Sequence, residues 1–218
     1  NAVEKEEAKL QAESEKLRAT LLRSISHDLR TPLTAISGNA SILLSDSEHL
    51  DPDARKQMYE DIYDDSAWLH NLVENLLAIT KIEEGRMELK TQPQLVEEIV
   101  SEAMQHISRK RDEHIITVTH ENDLLLAQCD AKLIVQTIIN LVDNAIKYTP
   151  AGSRIRITTR QEYARVVFTV TDDGPGISDQ EKKKIFQMFY TGANTVADSR
   201  RSLGLGLSLC RSIVTAHG

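Results

Sequence analysis

The feature that most constrains the fold is a change in the spacing of apolar residues at Gly85. Before it, apolar residues recur every three or four positions over 25–44 and again over 58–79, which predicts two amphipathic helices. After it, short alternating runs typical of strands are mixed with helical segments. The sequence therefore predicts an α+β fold: a helical hairpin over 1–85, then an α/β-sandwich domain with a mixed sheet over 86–218.

Each helix of the hairpin carries a broad apolar face, and the second helix is predicted to start near Pro52. One hairpin cannot cover both faces, so we expect a homodimer in which two hairpins form a four-helix bundle. Residues 1–24 are rich in good helix formers and predict a coiled-coil-like lead-in.

Charge and cysteine content exclude several classes of protein. The net charge of −7 and the lack of a long basic run argue against a nucleic-acid partner. Cys129 and Cys210 are far apart and lack metal spacing, so we expect two free thiols that are buried or half-buried. No run of about 18 apolar residues occurs, so we expect no direct membrane contact. The chain begins in mid-pattern at Asn1, and we expect it to be part of a longer protein.

A histidine in the first amphipathic helix stands next to a carboxylate and one turn before a hydroxyl: His27, Asp28 and Thr31. Ile25 and Leu29 belong to the apolar stripe, so His27 projects away from it. An ordinary imidazole is largely neutral at pH 7 and therefore nucleophilic. A lone histidine on a helix is nevertheless more often a solvated surface residue, and this segment alone leaves both interpretations open.

The helix predicted over 130–147, with Asp130 as its cap, has four polar side chains along or just beyond one face. Asn140 and Asn144 are four residues apart, with Lys147 and Tyr148 about one turn further. An amide oxygen suits an Mg²⁺ ion that keeps waters and phosphate oxygens as its other ligands. Two surface amides in register by chance are the alternative. The predicted apolar face holds Ile134, Ile138, Leu141, Val142 and Ala145.

Two glycine-containing segments follow. Residues 172–177 come directly after an apolar strand, where glycines admit a ligand and an aspartate can accept from an exocyclic amine. An ordinary Asp-Gly turn is the alternative. Residues 204–209 open the last helix, whose free N–H groups could bind phosphate or simply begin a flexible helix. The polar stretch 191–203 is either a lid or a surface loop.

In their order and spacing, these segments resemble the motifs of the sensor histidine kinases of two-component systems, and the resemblance covers nearly the whole chain. The matching segments are the phosphoacceptor motif 26–34, the Asn motif 140–149, the first Gly motif 172–176, the Phe motif 186–189 and the second Gly motif 204–207. Residues 17–35 are more faintly similar to potassium-responsive sensor kinases. ATPases of the gyrase and chaperone kind share the nucleotide fold, but usually carry a glutamate near the position of Asn140.

The resemblance implies that His27 takes the phosphoryl group of ATP and passes it to an aspartate of a response regulator receiver domain. Asp28 would act as general base or orient the imidazole, and Thr31 would position water in a phosphatase reaction. The protein would be the cytoplasmic portion of a membrane-anchored bacterial sensor. The alternative is a nucleotide-gated dimeric interaction module without kinase activity.

For ATP, the resemblance implies that Asn144 holds Mg²⁺, Asn140 and Lys147 lie near the phosphates, Tyr148 lies beside the nucleotide and Asp172 accepts from adenine. The remaining implied binding residues are Gly174, Gly176 and Ile177 beside the base, and Gly204, Leu205, Gly206 and Leu207 at the phosphates. The chain departs from the family pattern at Ser202, where a glycine is usual, and at Asp173, where asparagine is frequent. The family normally continues into further strands after the position of Gly218.

Overall fold

The computed structural model describes residues 25–27, 29–46, 48–83, 88–107, 113–191 and 204–218. The first helix, α1, comprises 25–27 and 29–46. The other elements, in order, are α2 (Pro52–Glu83), β1 (Gln92–Leu95), α3 (Val96–Gln105), β2 (Ile115–His120), β3 (Leu126–Cys129), α4 (Ala131–Tyr148), β4 (Arg154–Glu162), β5 (Arg165–Asp172), α5 (Asp179–Lys182) and α6 (Gly206–Ala216). The predicted α+β class is confirmed.

The chain packs as two compact units, Asn1–Leu72 and Val73–Gly218. The division falls inside α2, so the last turns of this helix belong with the α/β unit. The domain boundary predicted at Gly85 lies outside the described residues and stays a prediction. No described helix is both long and apolar enough to cross a membrane.

The two helices of the first unit begin and end where local signals place them. α2 starts at Pro52, because proline at the first helical position loses no hydrogen bond and already has a helical φ. The Asp51 carboxylate caps this end, accepting from the N–H groups of Asp53 at 3.1 Å and Ala54 at 3.4 Å. The predicted helical hairpin is confirmed, and α1 is helical on both sides of Pro32.

The strands form two separate ladders. β1 pairs with β3 in an antiparallel two-stranded sheet. The larger sheet has the order β2-β4-β5, in which β2 and β4 are parallel and β4 and β5 are antiparallel. The predicted mixed sheet is therefore confirmed.

One predicted strand is displaced. The sequence predicts a strand over 87–91 that ends before Pro93, but residues 88–91 are not in a strand, and β1 begins at Gln92. Pro93 lies inside β1, opposite Gln128. Proline is tolerated there because β1 has a partner on one side only within this two-stranded sheet.

The core of the second unit lies between α3, α4 and the inner face of β4. Alternate residues of β4 point inward: Ile155 and Ile157 are fully buried and Thr159 is 1% exposed. Cys129 and Cys210 are buried free thiols, as predicted. The central cluster consists of Ile99, Val100, Ala103, Ile107, Cys129, Val135, Ile138, Val142, Ala145, Ile146, Ile155 and Ile157.

Candidate functional site

The start of α4 is fixed from three sides by one residue, Asp130. Its Oδ1 accepts from the N–H of Leu133 at 3.5 Å and caps the helix, while Oδ2 accepts from the N–H of Lys90 at 3.1 Å. Its own N–H donates to Nε2 of His217 at 3.0 Å, and Nδ1 of His217 is 2.8 Å from the carbonyl oxygen of Ile213. These bonds tie α4 to the end of α6.

The polar face of α4 borders a small cavity of about 50 Å³. The residues that line it come from α4, from the segment after α5 and from the start of α6: Asn144, Tyr148, Ile185, Tyr190, Gly204, Gly206 and Leu207. The structure thus brings together Asn144, Tyr148, Gly204, Gly206 and Leu207, which the family resemblance assigns to one nucleotide site. Nζ of Lys147 lies 5.4 Å from the centre of the Tyr148 ring, close enough for a cation–π contact.

The approach to α6 requires glycine at position 204. Its φ of +64° belongs to the left-handed region, and a Cβ there would lie 2.6 Å from the Tyr190 carbonyl oxygen. The N–H of Phe189 donates to the Gly204 carbonyl at 3.0 Å, which joins the predicted Phe motif to the second Gly motif. Leu205 is buried, and the helix begins at Gly206, two residues later than predicted.

The segment 172–177, which contains the first Gly motif, packs against the C-terminal end of α4. A Cβ on Gly174 would lie 2.7 Å from Cγ2 of Thr149 and 2.8 Å from Oδ1 of Asp172. That Asp172 oxygen already accepts from the N–H of Gly174 at 3.0 Å. Asp172 is exposed at the end of β5, and Ile177 is 48% exposed. This segment, which also contains Gly176, does not line the small cavity.

Asp173 has a structural contact that the sequence does not reveal. Its Oδ1 accepts from the N–H of Arg154 at 2.8 Å, at the first residue of β4. β4 is the middle strand of its sheet, so this bond holds the loop after β5 onto the sheet. An asparagine Oδ1 could accept the same bond, which explains how either residue can serve at this position.

The predicted phosphoacceptor residues lie on α1. His27 and Thr31 are exposed, while Ile25 and Leu29 on the same helix are half-buried. Asp28 lies outside the described residues. Exposure is what an acceptor needs if a group on another domain is to reach it.

An Mg²⁺ ion fits this site only in one manner. In the part of the chain that the structure describes, no three His, Cys, Asp or Glu side chains cluster as a metal cage. Mg²⁺ is commonly held by one or two protein oxygens together with waters and substrate phosphates. The half-buried amide of Asn144, beside the N-terminus of α6, matches that mode of binding.

The thiol near the site is chemically inert. Sγ of Cys210 donates to the carbonyl oxygen of Thr137 at 3.7 Å. Burial raises the pKa of Cys210 to about 12, although hydrogen bonds, one of them with Asn140, act in the opposite direction. A thiol that stays protonated at neutral pH is a poor nucleophile, so Cys210 packs as a small apolar residue.

Sequence reasoning missed one residue at the site, Asn75 of α2. Its Oδ1 accepts from Nε2 of Gln136 at 2.7 Å and from Nδ2 of Asn140 at 3.4 Å. Its Nδ2 donates to Oδ1 of Asn140 at 3.4 Å. No local signal could have found this contact, because 65 positions separate Asn75 from Asn140.

Two known protein families match this chain, one in its N-terminal helical part and one in its α/β part. Residues 17–85 match the His Kinase A (phospho-acceptor) domain. Residues 129–218 match the family described as histidine kinase-, DNA gyrase B- and HSP90-like ATPases. The second of these families includes both histidine kinases and other ATPases. The match to the phospho-acceptor domain, together with asparagine at position 140, favours the histidine kinases among them.

Individual relatives point the same way. The chain is 46% identical over 215 residues to the sensor protein KdpD of Clostridium acetobutylicum, covering 99% of this chain and 24% of that protein. It thus spans about a quarter of the length of this relative. The catalytic domain of the histidine kinase ThkA is 31% identical with a TM-score of 0.51, covering 60% of this chain and 81% of that one.

A solved structure of ThkA in complex with the response regulator protein TrrA is 26% identical with a TM-score of 0.57, covering 94% of this chain and 57% of that one. The matches therefore extend over the helices of the first unit as well as the α/β unit. The chain belongs to the sensor histidine kinase family.

Proposed function

We propose that this chain is the ATP-dependent protein-histidine kinase part of a sensor, which phosphorylates His27 and passes the phosphoryl group to an aspartate of a response regulator. The observation that carries the proposal is the pairing, in one chain, of an exposed histidine on α1 with the cavity between α4 and the start of α6. The first would serve as the phosphoryl acceptor, and the residues around the second would contact the phosphates of the donor.

The transfer needs little acid–base chemistry. A ring nitrogen of neutral His27 attacks the γ-phosphorus, the bond from that phosphorus to the β,γ-bridging oxygen breaks, and ADP leaves with the electron pair. The imidazole then gives up its ring proton to a base, for which Asp28 is adjacent in sequence. Such phosphoryl transfers depend mainly on positioning and on neutralising charge, which suits a site built of amides, one lysine and a helix N-terminus.

The roles proposed for the binding residues are those that the family resemblance implies. Asn144 would hold Mg²⁺, which neutralises phosphate charge when bound, and Asn140 would lie near the phosphates. Lys147 would meet the phosphates, and the N–H groups at the start of α6 would donate hydrogen bonds to the phosphate oxygens. Tyr148 would pack beside the nucleotide and Asp172 would accept from the adenine amino group. The list of proposed contacts is completed by Gly174, Gly176, Ile177, Gly204, Leu205, Gly206 and Leu207.

The proposed partners follow from the same family. ThkA has been solved with a response regulator, and we propose a receiver domain as partner of this chain. We also propose that Thr31 positions water when phosphate is removed again. Exposed apolar side chains on α1 and α2 support a homodimer, in which two hairpins form a bundle. The cellular place proposed is the cytoplasmic side of a membrane-anchored sensor.

The test is labelling with ATP that carries label in its γ-phosphate. Wild type should acquire label that is acid-labile and base-stable, as a phosphoramidate is, and His27→Gln should acquire none. Asn144→Ala should lose about 100-fold in rate, because charge on the transferring group is no longer neutralised. His70→Gln is the matched control, since His70 is also exposed on a helix of the first unit.

Three results would contradict parts of the proposal. Persistent label in His27→Gln would show that His27 is not the acceptor. An unchanged rate in Asn144→Ala would remove that residue from the metal site. Nucleotide binding by wild type without any label would favour the interaction module over the kinase.

A further inference from the structure

Asn75 connects the last turns of α2 to the helix that carries the proposed nucleotide ligands. The carboxamides of Asn75 and Asn140 form a reciprocal pair, with both N···O distances at 3.4 Å. Gln136 lies one turn before Asn140 on α4 and donates to Oδ1 of Asn75 at 2.7 Å. All three side chains are half-buried, so water screens these contacts only in part. We call this group of three residues the amide cluster.

The hydrogen bonds of the amide cluster define the orientation of the Asn75 carboxamide. The short bond from Gln136 occupies the carbonyl oxygen of Asn75, so the NH₂ group of Asn75 is turned toward the oxygen of Asn140. The strong contact therefore fixes Asn75 on α4, while the two long contacts to Asn140 are weak. Of the three bonds, those to Asn140 are the ones that a competing ligand could most easily replace.

Asn140 stands between α2 and the start of α6. A Cβ on Gly206 would lie 3.5 Å from Oδ1 of Asn140, so this amide oxygen is in close range of the first residue of α6. The phosphates are proposed to bind at that helix start. In this structure, the oxygen and the nitrogen of the Asn140 side-chain amide are both hydrogen-bonded to Asn75. The same two atoms would otherwise contact a metal-bound water or a phosphate oxygen.

We propose that Asn75 and the bound nucleotide compete for the Asn140 amide, so that docking of the last turns of α2 onto α4 and nucleotide binding oppose each other. The inference rests on the proposed function, because it needs Asn140 in the nucleotide site. By linkage, the opposition is reciprocal: whatever favours the α2 contact weakens nucleotide binding, and nucleotide weakens the α2 contact to the same extent. Asn75 is thus a regulatory residue that acts through Asn140.

The first experiment measures the affinity for a non-hydrolysable ATP analogue by titration calorimetry. Asn75→Ala should bind the analogue about five- to tenfold more tightly than wild type, which is within the range of measured couplings between sites. Gln136→Met removes the donor that fixes Asn75 and should give a smaller gain in the same direction. Asn71→Ala is the matched control, because Asn71 lies one turn before Asn75 on α2 and is not part of the cluster.

The second experiment measures the contact between α2 and α4 and does not depend on a change in nucleotide affinity. Hydrogen–deuterium exchange of the backbone amides of residues 73–81 should rise in Asn75→Ala without nucleotide, and should rise in wild type when the analogue is added. Asn71→Ala should behave as wild type in both conditions. This measurement reports the α2 contact directly and works even if a variant has altered activity.

The outcomes separate this inference from the proposed function. Equal or weaker binding by Asn75→Ala, in a protein whose wild type binds the analogue, overturns the competition and leaves the kinase proposal intact. Weaker binding in particular would mean that Asn75 supports Asn140 in the site. Failure of wild type to bind the analogue overturns both. Unchanged exchange over 73–81 in Asn75→Ala shows that the amide cluster does not hold α2, and overturns the inference by itself.

Discussion

The two compact units differ in what their apolar side chains contact. In the second unit, Ile138, Ile155 and Leu209 are at most 1% exposed and belong to a core made within one chain. Among the described residues of 25–72, Leu72 is the one large aliphatic or aromatic side chain that is buried. Exposed apolar residues of that unit include Leu33, Leu44, Tyr59 and Tyr63, at 51%, 89%, 57% and 58%.

This difference indicates that the units obtain stability in different ways. The α/β unit gains it from apolar surface that its own chain removes from water. A hairpin that leaves its large side chains exposed needs another surface, and the stability of such a unit depends on the concentration of its partner. The following predictions test this contrast, from the largest expected effect to the smallest.

Truncation in the core of the α/β unit should have the largest effect. Ile155→Ala should lower the free energy of unfolding by about 3–4 kcal/mol, because it removes buried methyl groups and leaves a cavity. Urea denaturation followed by circular dichroism at several protein concentrations measures it. The loss should not vary with concentration, and a loss below about 1 kcal/mol would show that this core is loosely packed.

A methyl group at Gly174 should disturb the nucleotide site. Gly174→Ala places a Cβ 2.7 Å from Cγ2 of Thr149, so either that side chain or the loop must shift. We expect a loss of about 2 kcal/mol in stability, within the usual cost of overpacking, and weaker binding of an ATP analogue. Gly38→Ala is the control in α1, where an added Cβ meets no described heavy atom within 4 Å apart from the adjacent backbone of its own helix, and alanine favours the helix. Equal effects of the two substitutions would contradict the close packing at Gly174.

Removal of an exposed apolar side chain from the first unit should weaken dimerisation. Leu33→Ala should raise the dimer dissociation constant about tenfold, equivalent to about 1.4 kcal/mol, measured by sedimentation equilibrium. Leu124→Ala, at a side chain 78% exposed in the α/β unit, is the control and should leave the constant unchanged. A monomeric wild type, or an equal response of both variants, would remove the proposed difference between the units.

The smallest effect is expected at Asp173. Asp173→Ala removes the acceptor for the N–H of Arg154 and should cost about 1 kcal/mol of stability. Asp173→Asn keeps an oxygen at the same place and should cost less than about 0.5 kcal/mol. Thermal melting of the two variants side by side distinguishes them. Identical losses would mean that the carboxylate charge, and not the hydrogen bond, matters here.

Local signals were sufficient for the helices. The spacing around Ile138, Val142 and Ala145 placed these residues on a buried face of α4, and all three are buried. The capping role of Asp130 was predicted from residue type and is confirmed by its bond to the N–H of Leu133. Such signals work because hydrogen bonds and side-chain neighbours within a helix lie within four residues of each other.

Long-range contacts account for what the sequence did not predict. The residue type of Pro93 predicts a strand boundary, yet Pro93 lies in a strand because β3 pairs with β1 from more than 30 residues away. Part of the proposed site could be predicted locally: the spacing of Asn144 and Tyr148 indicates a shared helix face, and both residues line the cavity. The contact of Asn75 with Asn140 joins elements that only tertiary folding brings together.

The strand pairing has a consequence for how the chain acquires its structure. β1 pairs with β3 across β2, and β2 pairs with β4 across β3 and α4, so the two pairings interleave along the sequence. In the described residues, β4 and β5 form the one pair of consecutive strands. We therefore expect this hairpin to form early. We expect the α/β unit to fold slowly for its size, because the entropy of closing long loops is lost before the other strand pairs can form. On the ribosome, the three-stranded sheet cannot be complete until Asp172 has emerged.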